Sequence, residues 1–295
     1  MKYFRLGIYS MILVVLMVVL SACGNIAMKA QKEPAKLPSA SLVIQMIDVG
    51  QGDAILVRTN EQVILIDTGD VPARNNLVDY LKKQGISVID KVIITHPHAD
   101  HLGGMAGILE HFTVKQIYDS GQTTTTALYR QYLSSIKKHK ISFAVVTAGD
   151  ELDFGNGVLF KVLNPKKPFI SDSELNNNSI AGKLTFGQFS MLFTGDVEKE
   201  AEDRMMKDYS AELQSTILKS PHHGSRTSST LPFLRSVSPE AIVISVDANN
   251  EYQHPHTTTL KKYTDIKAQV YRTDLAGTIT ITSDGKNYQI KKEKE

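Results

Sequence analysis

The chain has 295 residues, 42% of them hydrophobic and 22% charged, with 33 basic side chains against 31 acidic ones. That length fits one large domain or two small ones, and the composition excludes a disordered chain and a wholly membrane-embedded one. A single cysteine, Cys23, excludes an intrachain disulfide.

The N-terminus reads as a targeting segment. Lys2 and Arg5 form a short basic start, Ile8 to Leu20 is a nearly unbroken apolar run, and small residues follow. This is the order of a secretory signal. The run falls short of the ~20 apolar residues of a comfortable membrane span, and an uncleaved anchor helix is the second reading. Leu20-Ser21-Ala22-Cys23 is similar to a bacterial lipobox. That resemblance implies that residues 1–22 are a lipoprotein signal peptide and that Cys23 becomes the lipidated first residue. Residues 23–40, polar and with two prolines, read as a flexible tether. Either reading places the globular part, residues 41–295, outside the cytoplasm and anchored to the cell membrane. Loss of Lys2 and Arg5 leaves basic and acidic side chains balanced, so the mature chain has no strong global attraction for nucleic acid.

From Ser41 onward strand and helix signals alternate. Leu42 to Ile47, Ala54 to Arg58 and Gln62 to Ile66 read as strands rich in β-branched residues. Pro72 to Lys83 has helical spacing. Val92 to Ile94 is a short apolar strand leading into a histidine-rich run, and Gly103 to Phe112 reads as a helix. Val114 to Tyr118 (strand), Thr126 to Lys138 (helix) and Ile141 to Val146 (strand) continue the alternation. Gly155 to Leu163, Ile180 to Phe186 and Phe189 to Phe193 read as strands of a second sheet. Further short strands are expected at Ile217 to Lys219, Ala241 to Val246, Gln269 to Tyr271 and Thr278 to Thr282. Helices are expected at Val197 to Asp208, Leu231 to Val237 and Thr257 to Tyr263, and the lysine-rich C-terminus reads as a solvated end. Strands mixed with helices throughout predict an α/β layered domain.

The chemistry concentrates in Thr95-His96-Pro97-His98-Ala99-Asp100-His101, with four metal-ligand side chains inside six residues. His96 and His98 are two apart and share a side of an extended segment. Imidazole and carboxylate both suit zinc and similar ions. Four ligands do not complete two sites. Asp196 ends an apolar strand and is the expected bridge; a helix N-cap is its bland alternative. His222-His223 and His254-Pro255-His256 follow two more apolar strands. Seven of nine histidines at strand ends is the pattern of one assembled site.

His96-Pro97-His98-Ala99-Asp100-His101 resembles the signature of the metallo-β-lactamase superfamily. Six further motifs narrow the likeness: Val49 to Ala54, Leu65 to Gly69, Asn177-Asn178-Ser179, Phe193 to Asp196, Lys219 with His222 to Ser225, and His254 to His256. Together they resemble the extracytoplasmic hydrolase domain of ComEC-type competence proteins and their free-standing relatives. The resemblance implies a four-layer αββα sandwich with a dimetal site at the edge of its sheets. It implies His96 and His98 on one ion, Asp100 and His101 on the other, Asp196 between them, and His254 as the last ligand of the second. No histidine stands at Asn177-Asn178-Ser179, where many members carry one. His223 as ligand with His222 facing the substrate is the first reading of that gap, and the reverse is the second. Asp67 resembles a carboxylate that braces the histidine loop from behind.

The expected reaction is hydrolysis with two divalent ions, Zn²⁺ or Mn²⁺, lowering the pKa of a shared water toward ~7. Asp100 would orient that water, and His222 or His256 would stabilise charge or protonate the leaving group. Lys219, Ser225 and His256 are candidate substrate contacts, and Arg226 is a further candidate for contact with an anion. The resemblance implies a phosphodiester substrate, with DNA or a cell-surface polymer as candidates. A phosphorylcholine esterase with similar His-His-Gly-Ser chemistry makes a small phosphodiester an alternative, and a lactone is another. A non-catalytic metal-binding lipoprotein assisting DNA uptake is the reading from a different class. No obligate protein partner is expected.

Overall fold

A computed structural model of the chain describes residues 41–295. The signal peptide, Cys23 and the tether lie outside the described residues. Two mixed sheets form the frame. The first contains β1 (Leu42–Met46), β2 (Ile55–Arg58), β3 (Val63–Ile66), β4 (Val88–Ile94), β5 (Thr113–Asp119) and β6 (Ser142–Val145). The second contains β7 (Glu151–Asp153), β8 (Leu159–Asn164), β9 (Ala181–Phe186), β10 (Phe189–Phe193), β11 (Ile217–Lys219), β12 (Ala241–Ile244) and β13 (Gln269–Arg272). The chain then returns to the first sheet with β14 (Ile279–Ser283) and β15 (Tyr288–Lys292), giving the order β15-β14-β1-β2-β3-β4-β5-β6. The second sheet runs β13-β12-β11-β10-β9-β8-β7.

Strand periodicity explains why these sheets stack. Alternate side chains point to opposite faces. Ile64 and Ile66 face one core while Leu65 faces another, and Phe189, Met191 and Phe193 oppose Leu192 in the same way. The first set of each strand meets in one central core shared by both sheets. The outer face of the first sheet packs under α1 (Arg74–Lys83), α2 (Ala99–Leu102), α3 (Met105–His111) and α4 (Ala127–His139). In the second half, α5 (Glu174–Asn177) is a single turn, while α6 (Lys199–Tyr209), α7 (Leu231–Val237) and α8 (Thr257–Asp265) cover the outer face of the second sheet. A last short turn, α9 (Thr273–Ala276), leads back to the first sheet. Three apolar layers between four layers of structure make an αββα sandwich.

The differences from expectation are local. The strand before the histidine run starts at Val88, because Lys91 and Asp90 lie in line with parallel neighbours rather than in a turn. The helix after that run is split at Gly103-Gly104. A Cβ at Gly104 would stand 2.2 Å from the Thr68 carbonyl, so the chain there is pressed against the loop after β3. Part of the lysine-rich C-terminus pairs with β14 as an edge strand. Among the described residues no helix is long and apolar enough to cross a membrane.

Strands β3, β4 and β5 are parallel, as are β10, β11, β12 and β13. Parallel neighbours end at the same side of a sheet, and the loops after β3, β4, β10, β11 and β12 therefore gather together. One strand end does a different job. Asp119 closes β5, is buried, and accepts hydrogen bonds from the Gly121 amide (2.7 Å) and the Tyr132 hydroxyl (3.2 Å). Burial pushes its carboxyl up to about 6, against the pull of these two bonds. A raised folded-state value means that the stabilising contribution is complete below the unfolded value of 3.8 and is lost as pH rises through 6. Asp119→Asn keeps the acceptor for Gly121. Its stability relative to the wild type should therefore rise by up to about 3 kcal/mol between pH 4 and pH 7, measured by urea unfolding. A difference that stays flat with pH would refute this assignment.

Candidate metal centre

The site is assembled from backbone first. The Asp53 amide donates to the Asp100 carbonyl (3.1 Å), and the Thr68 amide and hydroxyl both donate to the His101 carbonyl (2.7 and 2.9 Å). The Ile180 amide donates to Thr95 and the His222 amide to Gly195. These bonds tie the loops of both sheets to one another. Gly52 permits the first of them: its φ is +121°, and a Cβ there would stand 2.2 Å from the Asp100 carbonyl oxygen.

Two imidazoles, His101 and His223, are buried completely or nearly so. His101 donates from Nδ1 to Asp67 Oδ2 (2.8 Å), and His223 donates from Nδ1 to the Ser245 carbonyl (2.8 Å). Asp67 also accepts from the Thr95 amide and hydroxyl, so it braces the start of the histidine loop as well as His101. With Nδ1 used, Nε2 of each ring is turned inward. His101 Nε2 lies 3.3 Å from Asp196 Oδ2 and 3.6 Å from Asp100 Oδ2. His223 Nε2 lies 3.5 and 3.3 Å from the same two oxygens. Neither Nε2 has a hydrogen-bond partner, and Asp196 Oδ1 is also buried without one.

This donor set fits a metal ion. Asp100, His101, Asp196 and His223 each offer one ligand atom within 4.8 Å of the others. A tetrahedron of N and O donors at ~2.0–2.1 Å from its centre has edges of about 3.3–3.4 Å, close to the four separations above. Beside it, His96 Nε2 and His98 Nδ1 stand 2.9 Å apart, and His96 Nε2 is 3.9 Å from Asp196 Oδ2. Asp196 is thus shared by two donor groups.

The electrostatics show the same demand for positive charge. Burial alone would push His101 down, but the carboxylates of Asp196, Asp100 and Asp67 outweigh it and raise it well above the usual value. Burial also acts against His223, yet Asp196 and Asp100 push it up to about 10. Burial would raise Asp196, and the imidazoles of His101, His223 and His222 instead hold it well below the carboxylate range. His96, where burial dominates and His101 adds to it, is held well below the usual value. Two carboxylates facing two lone-pair nitrogens are satisfied by protons on the rings or by a cation, and a bound dication inverts the local titration.

Three residues expected at the substrate are placed elsewhere. Lys219 is fully buried beneath the site, 2.5 Å from Asp53 Oδ2, and donates to the Gly195 carbonyl (3.1 Å). It pairs with Asp53 and also stands 3.8 Å from Asp196 Oδ1, so it acts on the cluster from below rather than from the cleft. Ser225 is buried, and its hydroxyl pairs with Thr227 within its own turn. His256 precedes α8, where its Nδ1 accepts from the Arg226 amide (3.2 Å). None of the three lines the cleft above the cluster. His254 does line it, but lies outside the four-residue donor group; its ring is 6.4 Å from that of His223 and 5.4 Å from that of His222. His222 turns Nε2 toward Asp196 Oδ2 (3.8 Å), with Nδ1 3.3 Å from Glu198 Oε1.

Sequence reasoning assigned no role to Asp53, Glu198 or Ser179. Asp53 follows two glycines within the Val49 to Ala54 motif, which was the available signal. Glu198 looked like an ordinary helix start; in the structure Ser173, Asn176 and His222 converge on it. Ser179 accepts the Asp196 amide (3.3 Å), and the Asn177 side chain accepts from the Glu198 and Ala201 amides. The Asn-Asn-Ser segment therefore supports the Asp196 loop.

Residues 47–246 match the model of the Metallo-beta-lactamase superfamily. ComE operon protein 3 of Bacillus subtilis (strain 168) is 31% identical over 254 residues, covering 80% of this chain and 32% of its own. Competence protein ComA of Neisseria gonorrhoeae is 29% identical over 247 residues, covering 83% and 33%. The chain spans about a third of the length of these curated relatives. The metallo-beta-lactamase fold protein YhfI from Bacillus subtilis aligns with a TM-score of 0.56 at 13% identity, over 82% of this chain and all of that one. A diphosphatase from the PhnP family aligns with a TM-score of 0.50 at 13% identity, over 82% and 97%. At such identity the structural likeness speaks for the fold alone. The chain belongs to the metallo-β-lactamase superfamily, and ComEC-type competence proteins are among its homologues.

Proposed function

We propose that this protein is a dinuclear-metal phosphodiesterase, tethered by a lipid at Cys23 on the outer side of the cytoplasmic membrane. The observation that carries the hydrolytic reading is the Asp196-centred cluster, with its unpartnered donor atoms, beside a cleft of about 520 Å³ lined by Asp100, Asp196 and His223. A phosphodiester substrate is what the resemblance to ComEC-type competence proteins implies, and such proteins are among the chain's homologues.

His96, His98 and Asp196 would hold one ion; Asp100, His101, His223 and Asp196 would hold the other. All-nitrogen-and-oxygen donors suit Zn²⁺, with Mn²⁺ as the second candidate. When bound, the pair would make hydroxide available near neutral pH and would polarise the phosphoryl group. The remaining steps belong to side chains. Asp67 and the Ser245 carbonyl fix the ring orientation of His101 and His223, so that each Nε2 faces inward. Asp100, partly exposed at the cleft, orients the attacking water. Glu198 holds His222 with Nε2 toward the cleft, where it passes a proton to the departing alkoxide.

Metal-loaded protein should hydrolyse bis-p-nitrophenyl phosphate, and Asp196→Ala should reduce the rate to background. Full metal occupancy with no diester turnover above that control would instead favour a non-catalytic metal-binding lipoprotein. Metal content separates the ligand assignments. The wild type should carry about two ions per chain, His223→Ala about one, and His254→Ala about two. Asp67→Ala should weaken binding roughly 10- to 100-fold. Retention of both ions by His223→Ala, with loss of one by His254→Ala, would reverse the assignment. For the anchor, Cys23→Ser should move the protein from the membrane fraction to the soluble one and abolish labelling by a fatty-acid analogue; unchanged fractionation and labelling would contradict it.

A further inference from the structure

The turn that carries His222 and His223 is strained. Both residues are left-handed, with φ of +47° and +52°, a conformation that costs energy for any residue with a side chain. Two in succession persist only where the chain on either side is held. Here one hydroxyl holds both sides. Ser220, just before the turn, bonds its Oγ to Tyr263 Oη at 2.7 Å, and Tyr263 Oη bonds Ser229 Oγ, beyond the turn, also at 2.7 Å.

Tyr263, Ser220 and Ser229 are completely buried. Burial pushes the phenol up to about 12, against the pull of both serine bonds, so it stays neutral and donates to one hydroxyl while accepting from the other. The clamp is anchored in turn. The Ser229 and Thr230 amides donate to the buried carboxylate of Glu202 in α6 (2.5 and 2.8 Å), and the Ser220 amide donates to the Val243 carbonyl (2.8 Å). From α8, Thr259 donates to the Ser225 carbonyl and Lys262 to the Ser228 carbonyl, both at 3.0 Å. None of these residues lines the cleft. Removing the phenol hydroxyl would leave two buried serine hydroxyls without that bond and would free the turn at both ends.

We propose that Tyr263 is a positioning residue for His223: by holding the strained turn on both sides, its hydroxyl fixes the point at which His223 Nε2 faces Asp100 and Asp196. The inference rests on the reading of His223 as a metal ligand. It confines the effect of Tyr263 to the ion shared with Asp100 and His101, and leaves the ion at His96 and His98 untouched.

The test titrates the full chain with Zn²⁺ against a competing chelator. Tyr263→Phe keeps the ring and removes the hydroxyl. Its affinity for one ion should fall about tenfold, with the other unchanged. On a His223→Ala background Tyr263→Phe should change nothing further. Ser220→Ala should give part or all of the same loss and add none to Tyr263→Phe. Tyr129→Phe removes a different buried hydroxyl, bonded to the Gln122 carbonyl, and as the control should affect neither ion. Unchanged affinities, equal weakening of both ions, or an effect that survives on the His223→Ala background would overturn the proposal. A metal-free measurement separates it from the ligand assignment. The His223 Nδ1 proton, bonded to the Ser245 carbonyl, should exchange with water about tenfold faster in Tyr263→Phe, and the His101 Nδ1 proton should not, as read by NMR. If the wild type binds only one ion yet that exchange accelerates, the positioning role stands and the ligand assignment falls. Unchanged exchange would defeat the role. If Tyr263→Phe does not fold, Ser220→Ala decides by the same two measurements.

Discussion

Four carboxylates, those of Asp53, Asp67, Asp100 and Asp196, are drawn around the buried imidazoles of His96, His101 and His223, and their charge must be balanced where little water reaches. An isolated buried carboxylate costs several kcal/mol. The fold answers them with shared partners. Lys219 sits under Asp53, at 2.5 Å, and 3.8 Å from Asp196 Oδ1. His101 and Thr95 donate to Asp67. Asp100 and Asp196 are left facing nitrogen lone pairs at 3.3 to 3.6 Å. Only positive charge placed between them completes the balance, and this demand links the buried ion pair below to the chemistry above.

That demand is also what makes the two sheets one unit at this end of the molecule. Asp67 and the His96–His101 loop come from strand ends of the first sheet; Asp196 and His223 come from strand ends of the second. A cation bound by all of them would bridge the sheets directly, so metal affinity contributes to folding stability as well as to reactivity. The backbone bonds between loops hold the donors at nearly ligand-like separations. Gly52 and Gly104 make this possible, since any side chain there would collide with the carbonyls of Asp100 and Thr68.

Much of this was readable from residue order. Short apolar runs such as Phe189 to Phe193 marked strands, and the helices lying between strands marked an α/β layered domain. The four ligands after β4 and the lone carboxylate after β10 were visible because each follows an apolar strand directly. What was hidden depends on direction and depth. Lys219 and His222 lie three residues apart after the same strand, but one points under the loop and the other over it; no spacing rule separates them. His222 and His223 have φ of +47° and +52°, and this left-handed turn sends adjacent rings to different neighbours. A pattern read as strand or helix cannot anticipate it. Asp53 and Glu198 matter through partners far away in sequence, and Glu251 and Tyr252 lie in a loop with no periodicity at all.

The same distinction governs substrate choice. Ligand donors are fixed by the fold, because displacing one of them leaves a buried charge unpaired. The cleft wall carries less of that constraint: Glu251 and Tyr252 sit on a loop where a change of side chain disturbs little packing, although Asn250 ties that loop to Asp247 and His254. Kinship with competence proteins therefore bears on the cluster more strongly than on the wall, and more so because the chain matches only about a third of their length. A polyanion entering this cleft would pass two carboxylates before reaching Asp196 and would find no cationic side chain lining the way. Its attraction would have to come from the metal ions alone.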